Sequence, residues 1–299
     1  MLSGALLTVG LRVADLLLGR APAAVAYAVA DLAGRTWYRT ASRRRALVSE
    51  NLRRVCAATG RPTRGPALRR LVEQAFIEHA RYYLELLRAP HYRADRIDRI
   101  VSVDDWERWE AVFRGGAVVA LPHLGNFEPY GILMEKHGIH ALAPVEEIRP
   151  RALFEFLRAR RGVGRIDLVP VRRARRPMTE ALRRHEVVAL VADRDLTGDG
   201  VPVTFFGHPT TMPSGPAALA LMTRTPLVAG ASWRTGRDRF RARGWNIDLQ
   251  PTGDRRADAA ALTQAVARCF EEAIGVAPEQ WWGAFQPIWL DQRQGRNGK

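Results

Sequence analysis

The sequence predicts an α/β fold, with one domain built on a central, mostly parallel or mixed sheet that helices cover on both faces. Short apolar or β-branched runs alternate with helical stretches from Gly115 onward. These runs are apolar over most of their length, which is typical of strands buried on both faces. The first hundred residues are rich in alanine, leucine and arginine and predict helices, the clearest at 71–88. The strand candidates are 117–121, 167–171, 187–191, 201–206 and 226–230.

The N-terminal part of the chain is predicted to be a helical segment that associates with a membrane. We assign residues 1–60 to this segment and residues 61–299 to the main domain. The apolar opening stretch carries Arg12 and Asp15, and each charge costs about 2.5–3.5 kcal/mol at a bilayer centre. A spanning helix is therefore disfavoured. The stretch fits either helices that lie on a membrane face or a helical hairpin packed on the domain.

The charge of the chain is compatible with an anionic partner but does not identify one. The formal net charge is +15, and only two of the 46 basic residues are lysines. So many arginines agree with a coding bias, or with a phospholipid surface, a nucleotide-bearing cosubstrate or nucleic acid as partner. No helix-turn-helix, RRM or zinc-finger spacing is present, so nucleic acid is not expected. Cys56 and Cys269 show no metal-ligand spacing, which predicts a reducing compartment and no metal site.

A histidine and a carboxylate follow the strand predicted at 117–121. Four residues separate His123 from Glu128, and on an ideal helix the two would lie about 140° apart. They can meet only if the chain turns, and Gly125 suits a tight turn before a helix at about 126–134. A carboxylate bonded to one imidazole nitrogen fixes the tautomer and stabilises the imidazolium. The pair therefore predicts a general base.

The chemistry of this base follows from what surrounds it. No serine or cysteine lies within 122–128, so the base is expected to activate a substrate hydroxyl directly. Backbone amides at the start of the following helix are the expected donors to the oxyanion. The alternative for His123 is a hydrogen-bonded structural histidine. Its position after an apolar strand favours catalysis, because open α/β sheets place their sites there.

The segment 121–128 resembles the signature of the LpxL/HtrB-type lysophospholipid and lipid A acyltransferases, whose histidine and carboxylate have the same spacing. Within that family the chain is most similar to the actinobacterial phosphatidylinositol mannoside acyltransferases. The resemblance implies a glycerol-3-phosphate acyltransferase-like fold and makes 61–299 an acyltransferase domain. The other matching stretches are 80–85, 192–197, 203–207, 211–220 and 286–289.

The resemblance also implies residue roles. His123 is the expected base, Glu128 its partner, and Asp193 a second carboxylate that supports the histidine. The mannoside enzymes have glutamate in the place of Asp193 and tend to have aspartate in the place of Glu128. The residues expected to bind substrate are Asn126, Glu146, Arg161, Arg194 and Asp195.

From the residues alone, other interpretations of these segments stay open. The charges of 193–195 form either a structural ion-pair cluster or part of the site, and we favour the site. The helix at 151–161 is either an ordinary amphipathic surface helix or a phosphate-binding element. The arginine run 172–176 is predicted to be a solvated loop, and the aromatic patch at 281–289 is predicted to pack in the core.

The prediction is therefore an O-acyltransferase that uses acyl-CoA as co-substrate and needs no other cofactor. It would transfer a fatty acyl chain to a hydroxyl of a phosphatidylinositol mannoside-type glycolipid, as a peripheral protein on the cytoplasmic face of the membrane. One alternative is a lipid A-type enzyme that uses an acyl carrier protein. The other is a basic protein without turnover that binds membranes or nucleic acid.

Overall fold

The computed structural model describes residues 2–147, 151–195, 198–248 and 250–297, which form a single α/β domain. The helices are α1 (Leu2–Leu18), α2 (Ala23–Thr40), α3 (Ser42–Ala58), α4 (Gly65–Arg88), α5 (Trp106–Arg114), α6 (Glu128–Lys136), α7 (Arg151–Arg161), α8 (Arg175–Arg183), α9 (Gly215–Thr223), α10 (Arg255–Val276) and α11 (Leu290–Asn297). The strands are β1 (Val101–Val103), β2 (Ala117–Leu121), β3 (Ala141–Val145), β4 (Ile166–Pro170), β5 (Val187–Val191), β6 (Val201–Phe205), β7 (His208–Met212), β8 (Leu227–Gly236) and β9 (Arg239–Asn246).

The main sheet contains seven strands in the order β1-β9-β8-β2-β5-β3-β4. Strands β8, β2, β5, β3 and β4 are parallel, β9 is antiparallel to β8, and β1 is parallel to β9. The predicted mostly parallel or mixed sheet is therefore confirmed. The strand predicted at 201–206 lies outside it, because β6 pairs with β7 in a separate antiparallel hairpin.

Side chains of the central strand β2 enter the core on both faces of the sheet. Val118 and Ala120 belong to the largest apolar cluster, whereas Ala117 and Val119 belong to a second cluster that contains Trp109 of α5. Each face is covered by helices, so Ala117 to Ala120 are buried and only Leu121 at the end of the strand is partly exposed. This burial explains why the strand is apolar throughout.

Three strands of the main sheet escaped the sequence pattern: β1, which has only three residues, β3 and β9. β3 contains Pro144, which argues against a central strand because proline lacks an N–H. Its neighbour β5 pairs with it only at Ala141 and Leu142, so Pro144 lies beyond that ladder. β9 alternates arginine with smaller or apolar residues, and its arginines are exposed or half-buried, which hides a strand from a search for apolar runs.

The N-terminal helices pack on the rest of the domain. The Tyr27 hydroxyl on α2 donates a 2.7 Å hydrogen bond to Glu85 on α4, and Arg160 on α7 binds Asp15 on α1. Helices α1 and α2 still expose apolar side chains. Among the described residues, no helix has the length and apolar character needed to span a membrane. Association of this segment with a membrane stays a prediction. The exposed apolar residues are Val9, Val13, Leu16, Leu17, Val25, Val29 and Leu32.

Candidate active site

Parallel pairing of two strands creates the centre of the site. Leu121 at the end of β2 pairs with Val191 at the end of β5. His123 and Asp193 each follow two residues later, so the same register brings together two side chains that are 70 positions apart. This edge holds the carboxyl ends of the parallel strands, where α/β sheets place their ligands.

Asp193 fixes the orientation of the His123 imidazole. The carboxylate Oδ1 lies 2.5 Å from His123 Nδ1, and Oδ2 accepts the His123 backbone N–H at 3.0 Å and the Trp281 indole N–H at 2.8 Å. Burial by itself would raise the pKa of Asp193, but the charge of His123 and these hydrogen bonds outweigh it, and the pKa lies below its usual value. The ionised carboxylate holds the proton on Nδ1. Nε2 is then the nitrogen that exchanges a proton with substrate, and the side chain keeps 19% exposure.

The loop that carries His123 is shaped by a glycine and by the C-terminal part of the chain. Gly125 has a φ of 59°, and a Cβ there would collide with the carbonyl oxygen of Ser232. Its N–H donates to the Gln280 carbonyl at 3.1 Å, and the Trp282 N–H donates to the His123 carbonyl at 2.9 Å. The turn predicted at Gly125 is confirmed.

Glu128 does not pair with His123, which corrects the expected partnership. Its Oε1 accepts the Tyr82 hydroxyl at 3.2 Å and lies 3.6 Å from Nε of Arg161. Its Oε2 is buried without a hydrogen-bond partner among the described residues. Burial raises its pKa, although Arg161 and the hydrogen bonds act in the opposite direction. The Gly125 turn directs Glu128 toward α4 and α7. Asp193, two residues after β5, contacts the imidazole instead.

The expected oxyanion donors at the start of α6 are already occupied. The Glu128 N–H donates to the Asn126 side chain at 3.0 Å, Pro129 has no N–H, and the Tyr130 N–H donates to the Phe127 carbonyl. These positions therefore do not provide a free helix-start amide. Residues 128–130 do not support an oxyanion site, and a site built from amides at the start of this helix stays a prediction.

Asn126 holds the loop in place from a fully buried position. Its amide nitrogen donates to Glu85 at 3.2 Å, and Ser232 donates to its backbone carbonyl at 2.9 Å. Arg234 bonds the same Glu85 carboxylate, so the buried charge is compensated. A substrate would have to displace Glu85 to reach this amide. We therefore assign Asn126 to positioning the loop, in place of the expected contact with substrate.

Arg161 is the arginine of α7 that faces the site. Its terminal NH2 donates to the Tyr82 hydroxyl at 3.1 Å, and its Nε lies beside Glu128. The neighbouring arginines turn elsewhere, because Arg158 binds Glu155 and Arg160 binds Asp15. Arg161 keeps 31% side-chain exposure, which leaves it accessible to a ligand.

The remaining predicted binding residues divide into two groups. Arg194 and Glu146 lie 3.9 Å apart with 26% and 58% exposed side chains, so both are accessible next to β5 and β3. Asp195 is different, since its side chain is almost fully buried and accepts bonds from the Thr211 hydroxyl at 2.6 Å and the Gly198 N–H at 2.8 Å. The structure gives Asp195 a role in holding its loop, not in contacting substrate.

Comparison with known proteins identifies the family of this chain. The model of the bacterial lipid A biosynthesis acyltransferase family matches residues 7–293. The chain belongs to this family. A phosphatidylinositol mannoside acyltransferase of Mycobacterium tuberculosis is 37% identical over 223 residues, which are 71% of this chain and 68% of that protein. One of Mycolicibacterium smegmatis is 34% identical over 241 residues, which are 76% of each chain.

The family inferred from the segment 121–128 is thus confirmed, and the protein is an acyltransferase. The alternative without turnover is set aside.

The acyltransferase site contains aromatic residues whose roles the sequence did not reveal. Trp281 is fully buried, as core packing predicted, yet it also binds Asp193. Trp282 stacks on Tyr82 with ring centroids 4.6 Å apart and meets His123 edge-on at 4.5 Å. The match of the stretch 80–85 to the family was the only sign that α4 takes part.

Replacing Trp281 with phenylalanine should lower kcat of the acyltransferase by about 5–13-fold. The change deletes one hydrogen bond to a buried carboxylate, which is worth about 1–1.5 kcal/mol, and raises the pKa of Asp193. The measurement is steady-state acyl transfer together with thermal unfolding. Trp289→Phe is the matched control, because this buried indole donates to the Phe205 carbonyl outside the site. An equal loss of kcat in both variants would contradict the assignment.

His79 on α4 should make the folded acyltransferase sensitive to acid. Burial first, then the charges of Arg44 and His123, lower its pKa to about 3, and its ring packs 4.3 Å from that of Phe285. Below pH 6.5 His79 binds a proton in the unfolded chain but stays neutral in the folded chain. The free energy of unfolding therefore falls as the pH falls. Because of this group, the free energy of unfolding is about 2 kcal/mol lower at pH 5 than at pH 7.

The variant His79→Phe should remove that part of the pH dependence. Urea unfolding at pH 7 and pH 5 measures it for the wild type and the variant. His140→Ala is the control, because this histidine is exposed and should leave the pH dependence as it is. An unchanged difference between the two pH values in His79→Phe would show that His79 is not held neutral.

Proposed function

We propose that the acyltransferase moves a fatty acyl chain from a coenzyme A thioester to a hydroxyl of a phosphatidylinositol mannoside-type glycolipid. The observation that carries the proposal is the His123–Asp193 pair at the carboxyl edge of the parallel strands. The names of the two mycobacterial relatives support the choice of acceptor. The absence of a serine or cysteine in 122–128 supports direct transfer without an acyl-enzyme.

The proposed reaction uses His123 Nε2 twice. Nε2 takes the proton of the acceptor hydroxyl while the oxygen attacks the thioester carbonyl, and Asp193 stabilises the imidazolium that forms. The tetrahedral intermediate then collapses. The C–S bond breaks, the sulfur takes the proton from Nε2, and free coenzyme A leaves as the ester is released.

The cluster Tyr82, Glu128 and Arg161 is a suitable place for the acceptor's sugar. Oε2 of Glu128 and Nε of Arg161 are buried without hydrogen-bond partners among the described residues. A sugar hydroxyl can donate to the first and accept from the second, and buried polar atoms favour such partners. Trp282 contacts the rings of both Tyr82 and His123, so the cluster lies beside the base.

The proposed location is the cytoplasmic face of the membrane, with the protein bound peripherally. Among the side chains of α1 and α2 that the structure describes, seven large apolar ones are exposed and support this proposal, and so does the net charge of +15. Apolar side chains can enter the interface while basic residues bind anionic headgroups.

The test is acyl transfer by purified protein with palmitoyl-CoA and a set of lipid acceptors. We expect thiol release that depends on a phosphatidylinositol mannoside, with the acyl chain recovered on that lipid. Phosphatidylinositol without mannose is the matched control and should support little release. Release at the same rate without acceptor would indicate a thioesterase. Transfer only from an acyl carrier protein to a lipid A precursor would favour the lipid A-type alternative.

A further inference from the structure

The arginine run after β4 lies on the same edge of the sheet as the catalytic histidine. Strand β4 runs parallel to β3, and Val145 at the end of β3 pairs with Pro170 at the end of β4. The next residues, Val171–Arg173, form a short 3-10 helix. The chain then enters α8 at Arg175, so the run surrounds the carboxyl end of the edge strand.

The register of the sheet places this run at the level of the site. β3 pairs with β5 at Leu142 and Val188, and Val145 and Val191 at the ends of these strands each lie three residues farther along, beyond the paired residues. Val191 in turn pairs with Leu121 at the end of β2. His123 and Arg172 therefore each lie two residues beyond the ends of β2 and β4, on the same edge of the sheet.

The separation between the two points follows from the strand order β2-β5-β3-β4. Three strand spacings of about 4.8 Å give a span of about 14 Å. The arm of coenzyme A between its sulfur and its first phosphorus has about 13 bonds, and at about 3.6 Å for every three bonds it spans about 16 Å when extended. A donor with its thioester at His123 would place its phosphates at the end of β4.

The electrostatics of the run favour an anion. Within the part of the chain that the structure describes, Arg172, Arg173 and Arg175 are exposed and make no salt bridge, whereas Arg176 binds Glu180. Arg175 and Arg176 also occupy the first turn of α8, which contains no acidic residue. Cations at a helix N-terminus are destabilising, and an anion bound there removes the penalty.

We propose that Arg172, Arg173 and Arg175 bind the phosphate groups of the coenzyme A donor. The proposal rests on the proposed function for the donor class and adds the place where the donor is held. Arg194 and Glu146 lie between the two ends of the span, next to the amide groups of the extended arm. The run predicted to be a solvated loop thus becomes a recognition site for the donor.

The first test is binding of coenzyme A itself, which needs no turnover. We expect the variant R172Q/R173Q/R175Q to bind coenzyme A at least about tenfold more weakly than wild type, because charged hydrogen bonds to phosphate are lost. The control R64Q/R69Q/R70Q removes equal charge from exposed positions about 20 Å from Tyr82 along α4 and should bind normally. Equal weakening in both variants, or no binding of coenzyme A by the wild type, overturns the proposal.

The second test separates donor phosphates from a membrane surface. In neutral detergent micelles the triple variant should show at least a tenfold higher KM for palmitoyl-CoA with unchanged kcat. With S-palmitoyl-N-acetylcysteamine, which lacks phosphates, wild type and variant should have equal kcat/KM. A normal KM for palmitoyl-CoA combined with lost binding to phosphatidylinositol vesicles would assign the run to the membrane and overturn the donor site. Failure of the proposed acyl transfer with retained, arginine-dependent coenzyme A binding would leave the site standing.

Discussion

Asp193→Asn is expected to lower kcat by about 10³–10⁴-fold with little change in fold or in KM. An asparagine has nearly the same shape, but its amide cannot hold the proton on Nδ1 or stabilise the imidazolium. The His123 ring would then present the wrong nitrogen to the acceptor hydroxyl. Single-turnover and steady-state acyl transfer measure the loss, and circular dichroism with thermal unfolding checks the fold.

Two further variants serve as comparisons for Asp193→Asn. Asp258→Asn alters another buried aspartate, which accepts the Thr252 N–H at 3.0 Å outside the site, and should leave kcat unchanged. Asp193→Glu keeps the charge and should retain more activity than the asparagine variant. A kcat of Asp193→Asn within tenfold of wild type would show that the carboxylate does not direct the histidine.

His123→Ala is expected to abolish detectable transfer, with a loss of at least about 10³-fold in kcat. The variant lacks the group that removes the acceptor proton and returns it to the leaving thiolate, and general acid–base catalysis contributes about 10²–10⁴-fold for each such group. Stability should change little, because the imidazole is partly exposed and Asp193 keeps its bond to the Trp281 indole.

The measurement is the rate of acyl-lipid formation, followed separately from thiol release. His140→Ala, at an exposed position outside this edge, is the control and should behave as wild type. If His123→Ala retained more than a tenth of wild-type transfer, the imidazole would not be the general base. Loss of thiol release without loss of transfer would be inconsistent with a shared intermediate.

The strands that the sequence predicted well are those buried on both faces. The predictions at 117–121 and 187–191 coincide with β2 and β5, because an unbroken apolar run needs a position covered on both sides. Three strands were missed: β1 is only three residues long, β3 contains a proline, and β9 carries exposed arginines that interrupt its apolar pattern. The helices predicted at 71–88 and 151–161 are present because apolar residues recur there at helical spacing, whereas most of the run 172–176, predicted to be a loop, lies in a 3-10 helix and the first turn of α8.

The sequence predicted which residues belong to the candidate site better than it predicted their contacts. His123, Asp193 and Arg161 occupy positions that suit the expected roles, and the Gly125 turn is present. The predicted pairing of His123 with Glu128 was wrong, because it was based on their proximity in sequence. Trp281 had no predicted role at the site, since an indole that packs in the core gives no local sign that its N–H binds a carboxylate.

The sequence by itself determined which residues carry chemistry, where the buried strands lie and to which family the chain belongs, because residue type and apolar pattern are local properties. Only the tertiary structure decided which carboxylate meets the imidazole. That choice depends on the strand order and on the register between β2 and β5, which bring together residues 70 positions apart. The same strand order sets the separation between His123 and the arginines after β4, and no local pattern in the chain records it.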